Sequence, residues 1–91
     1  MIPHNEQTDN LARALMFLDS IEECYQLFEE LYTIREIQDL SQRLEVARML
    51  QDKATYTEIV AQTGMSTATI GRVNRALNYG AGGYKLVLGK K

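Results

Sequence analysis

The residues with the most evident chemistry stand together late in the chain. Thr67, Ala68, Thr69 and Gly71 lead into Arg72 and Arg75, and no acid interrupts them. At the helical step of about 100° per residue, with Ile70 as the inward reference, Val73 and Leu77 also point inward. Ala68, Gly71, Arg72 and Arg75 then point outward. Two small residues beside two guanidinium groups suit a helix that enters the major groove of double-stranded DNA. The small ones permit close approach, and the arginines reach phosphates or guanine edges. Thr67 and Thr69, at the start of the helix, can reach bases or offer a methyl to thymine. Two solvated surface arginines are the plainer interpretation, but it does not explain an outward face without any acid.

Other chemistry has little to work with. His4 is the one histidine and Cys24 the one cysteine among 91 residues. Together they cannot begin a Cys/His zinc site, and a lone thiol builds no disulfide framework. Cys24 adjoins an apolar seam and fits there as a small apolar residue. We therefore expect no enzyme, no metal site and no resident cofactor.

The groove-facing residues need elements to hold them. The stretch YTEIVAQTGMSTATIGRVNRAL, from Tyr56 to Leu77, supplies those elements. Thr55-Tyr56-Thr57-Glu58 is a capping box that opens a short helix through about Thr63. Gly64 stops it, because glycine takes positive φ without steric cost. Met65 plugs the corner, and Ser66 caps a second helix from Thr67 to about Asn78. Helix, glycine turn and helix, with Ile59, Met65, Ile70 and Val73 as buried anchors, is the helix-turn-helix arrangement. Val60 stands where many such motifs prefer alanine. An unrelated αα-hairpin would share these signals.

Earlier in the chain, residues 11–63 contain neither glycine nor proline, which favours long helices. A first helix is expected from about Asn10 to Glu30, with Thr8, Asp9 and Asn10 as candidate N-caps. Leu11, Ala14, Leu18, Ile21, Tyr25, Phe28 and Tyr32 are spaced 3, 4, 3, 4, 3, 4, a heptad seam that Leu15 and Leu31 widen. So wide a stripe asks for more cover than the remaining chain provides. A second copy of the chain would supply it, through Leu11, Leu15, Leu18, Ile21, Tyr25 and Phe28; burial within a monomer is the alternative. Thr33-Ile34-Arg35-Glu36 has the form of another capping box. It starts a helix whose apolar face is Ile34, Ile37, Leu40, Leu44, Ala47 and Leu50, with a break near Ser41 as an option. The polar turn Gln51-Asp52-Lys53 ends it. After the glycine-rich run that closes with Tyr84, Lys85–Leu88 reads as either a last helical turn or an extended arm.

No stretch alternates as a half-buried strand does, so the fold class is all-α. The length fits a single domain over 1–91, made of a helical dimerisation body (9–50), a helix-turn-helix (55–78) and a C-terminal tail (79–91). Met1 to Asn10 lack the order of a signal peptide, and no apolar run approaches the ~20 residues of a membrane span. A cytoplasmic protein without membrane contact is expected. The formal net charge of −2 hides an asymmetry. Residues 1–54 carry 11 acids and 5 bases, whereas residues 55–91 carry one acid, Glu58, and five bases. Such a split is a pointer to an interaction surface.

The stretch from Leu31 to Leu77 resembles the Trp-repressor family. The pieces LYTIREIQDLSQRLEVARML and YTEIVAQTGMSTATIGR carry the likeness, and the ending RVNRALNYGAGGYKLVL is similar to the small bacterial Trp-repressor-like group. The resemblance implies an all-helical, intertwined homodimer that binds palindromic operator DNA, in a family whose best-known member uses tryptophan as corepressor. Arg43 and Arg72 match the arginines that cover the two faces of the bound indole, and Thr33 matches a threonine near the ligand's polar end. The family's glycine after the second arginine is Val73 here, and a serine that holds the ligand's head group is Ala76. Those changes argue against tryptophan and leave another small corepressor, or none. Thr67, Ala68 and Thr69 match the start of the recognition helix. Thr57 lies in the DNA-facing part of the preceding helix, where Thr57 and Val60 replace basic residues; fewer cations weaken sequence-independent attraction. The expected function is a sequence-specific DNA-binding regulator acting as a homodimeric repressor on a palindrome. The alternatives are a helical protein-interaction module or a small-molecule sensor without operator binding.

Overall fold

Capping side chains set the helix boundaries throughout. In the computed structural model, which describes residues 1–89, six helices follow one another: α1 (Glu6–Met16), α2 (Ile21–Leu31), α3 (Ile34–Gln51), α4 (Tyr56–Thr63), α5 (Thr67–Tyr79) and α6 (Gly83–Leu88). No strand occurs among the described residues, so the all-α class holds. The residues group into two units, one of Met1–Ile37 and the other starting at Gln38.

The first unit corrects the single helix expected over 10–30. It starts earlier, at Asn5, whose side chain accepts from the Thr8 backbone N–H at 2.9 Å; Thr8 is the third residue of a capping box, not the cap. The helix then breaks between Met16 and Ile21. Ser20 is the reason: extended at φ −147°, it accepts from the Glu23 N–H, while Glu23 Oε1 accepts from the Asp19 N–H at 2.7 Å. A serine followed three residues later by glutamate is a helix-start signal. The unbroken 3, 4 apolar spacing across this point concealed it. The seam is consequently shared out: Leu11 and Leu15 lie on α1, Leu18 in the bend, and Ile21, Tyr25 and Phe28 on α2. Neither α1 nor α2 has a buried residue, and Phe17 and Ile21 are 83% and 72% exposed. The rings of Tyr25, Phe28 and Tyr32 meet edge-on, at 5.9 and 5.7 Å between successive centroids.

The second unit holds the buried core: Val46, Ala47 and Met49 from α3, Ile59 from α4, and Ile70 and Val73 from α5. Each fully buried isoleucine or valine contributes roughly 1.5–3 kcal/mol relative to leaving it in water. Tyr84 and Leu88 bring α6 onto this core, which settles Lys85–Leu88 as helix rather than extended arm. The apolar face expected for α3 is only partly right. Ala47 is buried and Leu50 packs on the core, but Leu40 and Leu44 are exposed, and Val46 and Met49 take the inner positions. Two apolar stripes run along this helix: the one over its last two turns joins α4 and α5 in the core, and Leu40 and Leu44 line an open groove with Ala76 and Val87. No break occurs at Ser41, whose hydroxyl donates to the Gln38 carbonyl.

The end of α3 is closed by its own backbone. The Ala54 N–H donates to the Met49 carbonyl at 2.9 Å and the Lys53 N–H to the Leu50 carbonyl at 3.0 Å, the paired bonds of a Schellman motif. Lys53 occupies the left-handed position of that motif at φ +70°.

Candidate nucleic-acid interface

Thr55 starts the segment that carries the groove-facing residues. Its Oγ1 accepts from the Glu58 N–H at 3.1 Å, and Glu58 Oε1 accepts from the Thr55 N–H at 2.8 Å. The Thr55 backbone N–H foremost, and the Thr55 hydroxyl second, hold the Glu58 carboxyl below the usual glutamate range. The one acid of residues 55–91 is thereby committed to capping α4. Thr57, one residue before it, is exposed on the first turn of α4.

At the other end of α4, Thr63 Oγ1 donates to the Ile59 carbonyl and accepts from the Met65 N–H. Gly64 adopts φ +73°, and Ser66 accepts from the Thr69 N–H to begin α5. Three residues thus turn the chain between two helices that pack on each other. Val60 is more than a third exposed, which leaves room for its branch where alanine is the commoner choice.

On α5 the faces sort as the helical period dictates. Ile70, Val73 and Leu77 are buried, whereas Thr67, Ala68, Arg72 and Arg75 are exposed. Gly71 is half-buried rather than fully outward, yet a Cβ placed there meets nothing within 4 Å. Thr69 is also half-buried; its hydroxyl accepts from Ser66 Oγ at 3.0 Å. Arg72 and Arg75 make no ion pair among the described residues, so both guanidinium groups keep all their donors for a partner. The two ion pairs among the described residues belong to Arg48, which bridges Glu45 and Asp52 on the surface of α3.

A cavity of about 550 Å³ adjoins α5 and brings Arg43 and Arg72 to one place. Thr69, Val73 and Ala76 line it from α5, Asp39 from α3 and Tyr84 from α6. Thr33 has a different setting. It belongs to the first unit, where it caps α3 by accepting from the Glu36 N–H at 3.1 Å. Sequence reasoning missed Asp39 and Tyr84. Asp39 was within reach, since it stands one helical turn before Arg43. Tyr84 was not, because the glycines before it erase any helical register. Among the described residues no three His, Cys, Asp or Glu side chains gather to hold a metal ion, and no helix is long and apolar enough to cross a membrane.

Residues 6–91 match the family model of the Trp repressor protein. The chain belongs to that family. The Trp repressor family is one of regulators rather than of enzymes. The chain is 52% identical over 83 residues to the uncharacterized protein YerC of Bacillus subtilis (strain 168), covering 91% of this chain and 80% of that protein. The crystal structure of a candidate Trp repressor from Staphylococcus aureus superposes with a TM-score of 0.90 at 45% identity, covering 96% of this chain and 87% of the other. A TrpR-like protein from Eubacterium eligens ATCC 27750 gives the same TM-score at 48% identity, covering 94% and 89%. Membership of the family agrees with the all-helical architecture and with the resemblance carried by residues 31–77.

Proposed function

We propose that the chain is a sequence-specific DNA-binding transcription regulator that works in the cytoplasm as a homodimeric repressor. One observation carries this reading. The exposed face of α5 presents Ala68, Arg72 and Arg75 with no acid beside them, on a helix joined to α4 by a three-residue turn. In the proposed domain organisation, residues 9–50 form a dimerisation body, 55–78 the reading head and 79–91 a tail, within one domain. The exposed apolar side chains of the first unit support a second copy as the partner, through Leu11, Leu15, Leu18, Ile21, Tyr25 and Phe28. Two-fold symmetry then sets the reading helices about one DNA turn, roughly 34 Å, apart on a palindrome.

Within each head, Thr67, Ala68, Thr69 and Gly71 approach base edges, Arg72 and Arg75 reach guanines or phosphates, and Thr57 supports the backbone contact from α4. Repression is steric, by occupancy of a promoter site. The cavity beside Arg43 and Arg72 supports response to a small effector, and Thr33 is the third residue assigned to it. Val73 and Ala76 on its wall argue that the effector is not tryptophan. A β-branched side chain takes volume there, and an alanine offers no hydrogen bond.

The test is an unbiased DNA selection on the purified full chain, followed by anisotropy titrations at low and moderate salt. Enrichment of a palindrome is expected, with Arg72→Ala and Arg75→Ala each weakening binding by about 5- to 100-fold if the guanidinium reads a base. No enrichment, with both variants equal to the parent, overturns the proposal. A protein-interaction module would show binding almost indifferent to salt, where phosphate contacts impose a steep fall. A sensor without operator binding would show ligand-induced thermal stabilisation and no selected DNA.

A further inference from the structure

The other flank of α5 has a cavity of its own, about 480 Å³, to which α5 contributes Asn74, Leu77 and Asn78 rather than Thr69, Arg72 and Ala76. Leu50 and Leu77 give it an apolar floor, and Lys53 and Lys85 are the charges on its wall. No acid lines it. The nearest candidate in sequence, Asp52, is engaged by Arg48 Nη1 at 3.0 Å and so does not neutralise Lys53. Neither lysine makes an ion pair among the described residues. Asn78 Nδ2 donates to both the backbone carbonyl and the Oδ1 of Asn74, each at 2.9 Å. Asn74 is thereby oriented through its oxygen, and its own Nδ2 is left as an uncommitted donor.

Lys53 is also the one non-glycine residue at positive φ among the described residues. It fills the position of the α3 terminus where glycine is favoured, because a Cβ is strained in the left-handed region. A lysine at a site that prefers glycine points to something its side chain does. Lysine acts as a strongly hydrated point charge that binds phosphate without needing the bidentate geometry of the arginine fork.

We propose that Lys53, Lys85 and Asn74 form a binding site for a phosphate group on the flank of α5 opposite the Arg43–Arg72 cavity. The apolar floor of Leu50 and Leu77 would seat whatever carries that phosphate, and the source is either a small phosphorylated molecule or the DNA backbone. The site stands apart from the operator reading, since free phosphate can test it without any DNA.

The experiment titrates inorganic phosphate into the ¹⁵N-labelled full chain against chloride at constant ionic strength, and then titrates a non-specific DNA duplex. Saturable shifts at Lys53, the Asn74 side-chain amide and Lys85 are expected. Lys53→Gly and Lys85→Gln should each weaken the response about tenfold, as loss of a charge-assisted hydrogen bond does. Lys53→Gly should at the same time raise the melting temperature, a gain that a lysine with only a structural role would not trade against binding. A response to phosphate alone assigns a small ligand. A response only to duplex, with the salt slope reduced by about one per lysine removed, assigns the DNA backbone. No response beyond that of chloride in either the phosphate or the duplex titration, or variants that respond as the parent does, overturns the site.

Discussion

The two units of this chain use similar apolar residues to opposite ends. From Gln38 onward, Val46, Ala47, Ile59 and Ile70 are fully withdrawn from water, and short helices joined by tight turns close over them. In Met1–Ile37 no residue of α1 or α2 is buried, and Leu11, Leu15, Phe17, Ile21, Tyr25 and Leu31 all face solvent. Apolar side chains exposed in this number support the proposal that a second copy covers them. The contrast separates two ways of stabilising a helix. One part carries its own core, and the other has a hydrophobic stripe waiting for one.

The sharpest way to press that contrast is to truncate one isoleucine in each unit. Ile70→Ala empties a fully buried site and should lower the unfolding free energy by about 2–5 kcal/mol, read from denaturant melts followed by circular dichroism. Ile21→Ala removes the same atoms from a side chain that is largely exposed. Its cost should appear only through association, so its melts should depend on protein concentration in the way an obligate dimer's do. Equal, concentration-independent losses in the two variants would break the distinction.

Charge on the stripe gives the next effect. Ile21→Glu with Tyr25→Glu should leave the second unit folded while shifting the sedimenting species from dimer to monomer at micromolar concentration. Preserved hydrogen-exchange protection at Ile59, Ile70 and Val73 would show that the core had not been touched. A parent chain that is already monomeric under those conditions would remove the second copy as the cover.

How much of this was legible in the sequence also divides by unit. In the second, local chemistry and tertiary packing agree. Thr55, Gly64 and Ser66 place the turns, and the period of Ile70, Val73 and Leu77 fixes the inner face of α5, so the outward set follows. In the first, two local signals conflicted. The heptad spacing from Leu11 to Tyr32 argued for one helix, while Ser20 and Glu23 argued for a new start, and the cap prevailed. An apolar repeat records which residues seek cover and is silent about a bend that keeps them in phase. α3 adds a subtler case, because it carries two apolar stripes and the sequence does not say which one the short helices will meet. The cavity at Arg43 and Arg72 was half visible, through the family resemblance that paired these two arginines. Tyr84 reaches it from beyond a glycine-rich turn, which no periodicity can cross.

Smaller effects should come from the caps. Ser20→Ala removes the acceptor that breaks α1 from α2, at a cost of about 1 kcal/mol. It also restores the conditions for one continuous helix, so helical content should hold steady or rise even as stability falls.

The acid response is the finest test, because the same device occurs once in each unit. Glu36 and Glu58 both accept backbone N–H bonds from the threonine three residues earlier, and both carboxyls are held below the ordinary glutamate range, by the backbone bond first and the threonine side chain second. A folded pKa below the unfolded one means the cap contributes fully above the ordinary range and is lost as pH falls through the lowered value. Stability should therefore decline below about pH 4, where glutamates ordinarily take up protons. Glu58→Gln and Glu36→Gln keep an acceptor but remove the titration, so each should flatten part of that decline. The units should then differ in where the loss is felt. Glu58 begins the helix that buries Ile59, so its protonation should lower the global stability and reduce hydrogen-exchange protection across the core. Glu36 begins α3 within the unit that lacks buried residues, so its protonation should fray only the amides at the start of that helix. Exchange measured at neutral and acid pH on the two variants would distinguish a cap coupled to a core from one that holds only its own turn.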